Sequence, residues 1–365
     1  MIERIGIVGG GQLGMMLTEA AVPLGFQVLV TDPSDFPPAI RVGADWMRSS
    51  LSNTDTLNVL AEKTDLLTWE IEHIPAEHLV SMEEKGVRIE PSPQTLLDIQ
   101  DKFIQKQMLA GAGIPVAPFG LPGGAARKLD GPYVVKSRKG GYDGRGNKLM
   151  DVLDQNLIAQ SFDTPVYAEQ QIRFDKELAV VAVRSAAGKV ATYPVVETIH
   201  HNNICHLVYA PAPIDPKLEG QAVDLAHETM KLMKGAGVFA MEMFAADDTV
   251  MINEIAPRVH NSGHFTIEGC DTSQFANHIR AITGLPLGSA AMRAPAAVMI
   301  NILGRAEGPL NREGLDKVLQ LKNVYPHFYG KSPRPERKIG HITALGDTLQ
   351  EANTHAVMAR DFLVV

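Results

Sequence analysis

VFAMEMFAADDTVMINEIAPR, residues 238–258, is the stretch whose reading decides the fold. Two apolar runs flank Asp247-Asp248, so it reads as a β-hairpin. A turn centred on Asp248 sets Glu242 opposite Glu254. Directly opposite residues share one face of a sheet, and like charges placed there repel. An exposed face would solvate them, but the flanking Val, Phe, Ala, Met and Ile argue that at least one side of the hairpin is buried. A divalent cation removes the repulsion. Mg²⁺ suits the pair, because it takes one or two carboxylates and completes its shell with waters and substrate phosphates. Asn253 offers a further oxygen beside Glu254. Pro257, Arg258, His260 and Asn261 follow at once, so polar groups converge at one strand end.

Upstream lies a stretch suited to the phosphates that such a cation would bridge. KSRKGGYDGRGN, residues 136–147, packs four basic residues and four glycines into twelve positions of a chain whose formal net charge is −8. Lys136 ends a strand and can set a point charge on a phosphate. Gly140, Gly141, Gly144 and Gly146 free the loop to close over a triphosphate with backbone N–H donors. Arg138, Lys139 and Arg145 add positive charge. The same residues are good hairpin-turn chemistry; the glycines and the basic flank together favour an anion-binding flap. The loop is no Walker A motif: the GKS at residues 330–332 has Tyr325 where the first glycine should stand, and no HRD or DFG accompanies a kinase reading.

The N-terminal stretch RIGIVGGGQLGMMLTEAAVPLGFQVLVTDP reads as strand, glycine turn, helix and strand, one βαβ unit of a parallel sheet. Gly9, Gly11 and Gly14 fit GxGxxG, and Asp32 follows the second strand. Taken alone this suggests a nicotinamide-dependent oxidoreductase. A plain tight turn, or a turn that binds a phosphorylated substrate, are the alternatives. The nicotinamide reading leaves the carboxylate pair and the glycine loop unexplained.

Elsewhere, residues 92–113 read as one helix begun at Ser92-Pro93. Strand signals cluster at residues 131–137, 166–172, 177–185 and 190–198 as a mostly antiparallel sheet. A helix precedes the hairpin, another follows it, and a small α/β segment closes the chain. The acidic balance argues against nonspecific nucleic-acid binding. No apolar run reaches the ~18 residues of a membrane helix, and the N-terminus lacks a secretory signal, which predicts a cytoplasmic protein. Cys205 and Cys270 have no metal spacing and read as reduced structural thiols. The histidines, His73 and His78 or His260 and His264 included, give no metal pattern.

A strand lysine, a glycine-rich flap, an EQ linker and two carboxylates on a hairpin resemble the ATP-grasp enzymes. Among these, the segments GGGQLGMM, IQDKFIQKQML, KSRKGGYDGRGN, YAEQQI, NEIAPRVHNSGH and YGKSPRPERKIGHIT are most similar to the synthetases that make N5-carboxyaminoimidazole ribonucleotide in purine biosynthesis. The resemblance implies an α/β fold with α+β elements: a Rossmann-like domain at residues 1–100, an ATP-grasp domain at 101–292 and a small C-terminal α/β domain at 293–365. It implies an ATP-dependent ligase whose substrates are ATP, bicarbonate and 5-aminoimidazole ribonucleotide, working through carboxyphosphate as a homodimer with Mg²⁺, one ion or two, and Mn²⁺ as a substitute. Another ATP-grasp carboxylate–amine ligase and a non-catalytic nucleotide-binding module are the rival readings within this fold.

The implied roles fall on particular residues. Lys102, Lys136, Tyr142, Asp143, Gly144, Arg145 and Gly146 meet the ATP phosphates. Glu169, Gln170, Gln171 and Ile172 meet adenine, and Glu177 and His200 lie near the nucleoside. Glu242 and Glu254 hold the metal beside Asn253. Arg258, His260 and Asn261 serve bicarbonate and carboxyphosphate, with Tyr142 and Asp143 near the reacting groups and Asp143 handling the amine proton. Lys331, Arg337 and Lys338 meet the ribonucleotide phosphate, facing Gln12, Leu13 and Glu72. The chain departs from the family's usual arginine at Met15 and Lys102 and from its frequent asparagine at His73.

Overall fold

The computed structural model describes residues 2–141 and 146–364. Three sheets carry the architecture. The first is parallel: strand Arg4–Val8 lies between Gln27–Asp32 and Leu66–Trp69, and Asp45–Arg48 extends the side of Gln27–Asp32. Its central strands are buried on both faces, as expected where helices cover a parallel sheet; Ile5, Ile7 and Val30 have no exposed surface. Strand order reverses between Arg4–Val8 and Leu66–Trp69. Ligands of open α/β sheets collect outside the carboxyl ends of the strands at such a reversal. The glycine turn and the segment holding Glu70 and Glu72 lie there.

Residues 92–113 form two helices rather than one, Pro93–Gln100 and Lys102–Gly111. Asp101 makes the break. Its backbone is extended (φ −93°, ψ 102°), and its carboxylate accepts hydrogen bonds from the N–H groups of Phe103 and Ile104. An aspartate that can cap a new helix competes with continuing the old one.

The second sheet is small and antiparallel, with Phe119–Gly120, Val166–Gln170, Tyr133–Ser137 and Asn147–Met150 in that order. The third has nine strands. Lys176–Arg184 runs between Gly237–Ala246, whose hairpin partner is Thr249–Ala256, and Val196–His201. Residues 190–198, expected as one strand, split: Val190–Thr192 pairs with Lys176–Arg184, and Val196–His201 begins again after Tyr193-Pro194, where proline has no N–H to give the ladder.

The third sheet continues into the C-terminal segment. Ala296–Leu303 pairs with Ile204–Ala210, then with Lys338–Gly346, which pairs with Val324–Phe328. Helix Leu349–Phe362, which the sequence reading did not single out, covers this end with Ala352, Ala356 and Ala359, all fully buried on one helical face. One apolar core joins Leu17 and Ala21 of helix Gln12–Ala21 to Phe275 and Ile279 of helix Gln274–Thr283. Cys205 and Cys270 are free and buried. No helix among the described residues is long and apolar enough to cross a membrane.

Candidate active site

The hairpin sets Glu242 opposite Glu254, but by a different route from a symmetric turn about Asp248. Ala246 pairs with Thr249, leaving a two-residue turn, Asp247-Asp248. A regular ladder from that turn would bring Glu242 opposite Asn253. The register instead slips between Glu242 and Met243, so that Asn253 is an extra, bulged residue and Glu254 becomes the partner of Glu242. On a regular strand Asn253 and Glu254 would face opposite ways. Here both line the same cleft, of about 420 Å³.

The two carboxylates face solvent in the cleft, with side chains 36% and 38% exposed. Each has a basic neighbour. Lys102 Nζ lies 2.7 Å from Glu254 Oε2, and His260 Nε2 lies 3.3 Å from Glu242 Oε1. Partial burial pushes the Glu242 carboxyl up, and the charge of Glu254 adds to it. At Glu254 burial acts the same way, but the ammonium of Lys102, then those of Lys136 and Lys106, outweigh it and hold the group below the usual carboxylate range. His260 is held well below an ordinary imidazole by burial and by Arg258, so it is neutral.

Lys136 is the penultimate residue of strand Tyr133–Ser137, and Glu169 stands on the neighbouring strand with its side chain on the same face. Lys136 Nζ lies 2.7 Å from Glu169 Oε2 and donates to Asn253 Oδ1 at 3.3 Å. On the other oxygen of Glu169, Lys106 Nζ lies at 3.1 Å and the Tyr167 hydroxyl donates at 2.8 Å. Burial would raise this carboxyl, yet the two ammoniums bring it down to about 2. Lys106 escaped the sequence reading. Its signal was its place four residues after Lys102, on the same helix face.

The base of the glycine loop is tied to this helix. Arg138, expected as free positive charge for the flap, is paired with Asp101 through Nε and Nη2, the latter at 2.6 Å. Its carbonyl accepts from the Lys102 N–H at 2.8 Å. Gly140 and Gly141 line the cleft, and Gly146 closes the loop at φ +80°. Tyr142, Asp143, Gly144 and Arg145 lie outside the described residues.

Gln170, Gln171 and Ile172 line the cleft beyond Glu169, where Phe174 and Phe244 stack at 4.6 Å. Glu177 and His200 line it too and bond each other. Arg258 Nε lies 2.9 Å from Glu72 Oε1, so these two residues, expected at different substrates, meet in one cleft wall with His73. Asn261 sits behind His260 and exchanges two amide hydrogen bonds with Asn301, at 3.1 and 2.7 Å.

Of the remaining expected residues, Lys331, Gln12 and Leu13 meet beside the glycine turn, while the charge of Lys338 acts on His260 and His264 as well as on Lys331. The Lys331 ammonium donates to Gln12 Oε1, and Leu13 is buried in the core. Arg337 donates to the Ser332 carbonyl at 3.0 Å. Burial pulls the Lys331 ammonium down to about 8, against the charge of Glu70 and with that of Arg337. The turn itself is filled from within. Glu70 accepts from the N–H groups of Gly11 and Gly14, and Asp32 accepts from Gly10 N–H at 3.0 Å. The donors that a dinucleotide pyrophosphate would need are already taken by a carboxylate, which removes the basis for a nicotinamide reading.

Family comparison agrees with this geometry. The ATP-grasp domain model matches residues 121–275, the ribonucleotide synthetase preATP-grasp domain residues 2–100, and the phosphoribosylaminoimidazole carboxylase C-terminal domain residues 297–355. Fold, cleft and match together define an ATP-grasp ligase. The N5-carboxyaminoimidazole ribonucleotide synthase of Synechococcus elongatus is 36% identical over 94% of this chain and 89% of its own. The crystal structure of N5-carboxyaminoimidazole synthase from Aspergillus clavatus, in complex with ADP and 5-aminoimidazole ribonucleotide, superposes with a TM-score of 0.89 at 36% identity, covering 99% of each chain. The chain belongs to the N5-carboxyaminoimidazole ribonucleotide synthase family. It is also 41% identical, over 96% of its length, to the phosphoribosylaminoimidazole carboxylase of Ogataea methanolica, of which it spans 67%. It spans about two thirds of the length of such fungal carboxylases.

Proposed function

We propose that this protein carboxylates 5-aminoimidazole ribonucleotide with bicarbonate at the expense of ATP, giving N5-carboxyaminoimidazole ribonucleotide, ADP and phosphate in de novo purine biosynthesis. The observation that carries the reading is Glu242 opposite Glu254, with Asn253 bulged in beside them and Lys136 within reach. These are hard oxygen donors. Among the described residues no group of three or more His, Cys, Asp or Glu side chains is arranged to hold a metal. Two carboxylates completed by phosphate oxygens suit magnesium, one ion or two, with manganese as a substitute. Bound there, the ion would neutralise charge between the β- and γ-phosphates.

The chain's own residues do the rest by position and charge. Lys102 and Lys136 hold phosphates, and the loop of Gly140, Gly141, Tyr142, Asp143, Gly144, Arg145 and Gly146 closes over them and excludes water. Glu169, Gln170, Gln171 and Ile172 take adenine, and Glu177 and His200 the nucleoside. A bicarbonate oxygen attacks the γ-phosphorus and ADP departs, leaving carboxyphosphate. Arg258, neutral His260 and Asn261 steady its charge. The ribonucleotide amine then attacks either the carboxyl carbon of carboxyphosphate, from which phosphate leaves, or the carbon of the CO₂ that carboxyphosphate releases with phosphate, and Asp143 takes the amine proton. Lys331, Arg337 and Lys338 bind the ribonucleotide phosphate opposite Gln12, Leu13 and Glu72. By the same family resemblance we assign the protein to the cytoplasm as a homodimer.

The test is ADP release with each co-substrate withheld in turn. Release that requires bicarbonate and rises with the ribonucleotide is expected. Release indifferent to both would overturn the assignment.

A further inference from the structure

One cation at the ribonucleotide end has no role in the reading above. Arg41 belongs to the 3₁₀ turn Pro38–Val42, which follows strand Gln27–Asp32 and is tied to the glycine turn by the Ala39 N–H donating to the Gly10 carbonyl at 3.0 Å. Its side chain is exposed and takes no hydrogen bond or ion pair among the described residues. The neighbouring acids are committed elsewhere: Asp45 pairs with Arg4, and Asp35 with Arg48.

The guanidinium packs against Gly330. Gly330 has φ +67°, and a Cβ there would fall 2.4 Å from Arg41 Cζ, 2.5 Å from Nε and 2.6 Å from Nη1. A side chain at 330 would displace the guanidinium from this position. The next residue is Lys331, whose ammonium donates to Gln12 at the start of helix Gln12–Ala21. Arg41 thus lies against the residue that precedes Lys331, and Lys331 reaches Gln12, outside the carboxyl ends of the parallel strands, the side on which open α/β sheets bind ligands.

We propose that Arg41 is a phosphate-binding residue of the ribonucleotide site, gripping the 5′-phosphate through two parallel N–H donors beside Lys331. The proposal rests on the reading that this phosphate lies at Lys331 and Arg337. A phosphomonoester presents three terminal oxygens, which the flat guanidinium fork matches and a lysine meets only as a point charge. Lys331, with its pKa lowered to about 8, begins to lose its charge in mildly alkaline solution, so a second cation beside it would matter most there.

Steady-state kinetics of Arg41→Met, Arg41→Lys and Arg337→Ala test it, using the ribonucleotide and its dephosphorylated riboside as substrate or competitive inhibitor. Arg41→Met is expected to raise the ribonucleotide KM about 10- to 100-fold, the worth of a charge-assisted pair of hydrogen bonds. The riboside constants, the ATP KM and kcat should hold, and Arg41→Lys should recover part of the loss. An unchanged ribonucleotide KM in Arg41→Met, while Arg337→Ala shows the phosphate-selective loss, would overturn the role of Arg41 alone. Equal losses for ribonucleotide and riboside would reduce Arg41 to a structural residue and overturn it too. If neither variant discriminates between the two compounds, the phosphate site itself is misplaced and Arg41 falls with it.

Discussion

Glu169 shows how a single side chain is fixed by its neighbours. At 3% exposure it would be costly as a lone anion, yet Lys136 and Lys106 hold its pKa at about 2. Its folded pKa is below the unfolded value, so the stability it contributes is full above about pH 4.5 and lost as pH falls toward 2. His264 and His278, buried and held at about 3, add a second window. Their folded values lie below the unfolded 6.5, so their contribution is present above about pH 6.5 and lost as the solution is acidified. Through these two histidines the urea midpoint should decline from pH 6.5 downward; a flat profile between pH 6.5 and 5 would contradict it. At Glu254 the expected effect is catalytic. Glu254→Gln should lower ATP turnover at least about 100-fold, the scale of a lost transition-state contact, with a melting temperature close to that of the parent; near-normal turnover at ordinary magnesium would remove its metal role. Glu242, Glu254 and Lys136 were legible because a charge inside an apolar strand breaks the pattern around it. Glu70 was not: the N–H groups it accepts from, on Gly11 and Gly14, lie 59 and 56 positions away.

Among the elements, the helix break at Asp101 joins local chemistry to the site. One carboxylate caps helix Lys102–Gly111 and holds Arg138 at the foot of the glycine loop. Asp101→Ala removes both functions and should cost about 1 kcal/mol for the cap alone, while raising the ATP KM by freeing the loop base. Asp101→Asn keeps the cap acceptor and loses the ion pair, so its ATP KM should rise with most of the stability retained. Urea titrations and ATP saturation curves on both variants separate the two functions, and an unchanged ATP KM in both would detach Asp101 from the loop. The hairpin was readable because its apolar runs flank a turn pair; its bulge was not, since no residue type marks it. Helix Leu349–Phe362 was hard to read because small alanines, not large apolar residues, form its buried stripe.

At the scale of the molecule, the nine-stranded sheet carries the Glu242–Glu254 hairpin at one end and the C-terminal segment at the other. Asn301 on strand Ala296–Leu303 grips Asn261 and also donates to the Cys205 carbonyl at 2.8 Å. The C-terminal strands therefore support the residues beside His260 as well as the fold. Ending the chain after residue 292 would bare the edge of strand Ile204–Ala210 and its Leu207 and Tyr209, which pack on the C-terminal core of Val298, Ile300 and Ile342. Unpaired edges beside apolar surface promote aggregation. The truncated chain should be insoluble or oligomeric by size-exclusion chromatography, and a soluble monomer that still binds ATP would contradict the idea of a shared support.

The bulge at Asn253 makes the arms of the hairpin unequal: four steps from Glu242 to Ala246, but five from Thr249 to Glu254. Parity is thus a variable of this cleft in its own right. Deleting Asn253 would even the count and keep the acidic pair facing each other, withdrawing one amide oxygen from the cleft. Deleting Thr249 instead would desynchronise the whole arm. Once the turn pair is known, comparing arm lengths between paired acidic positions reveals the extra residue.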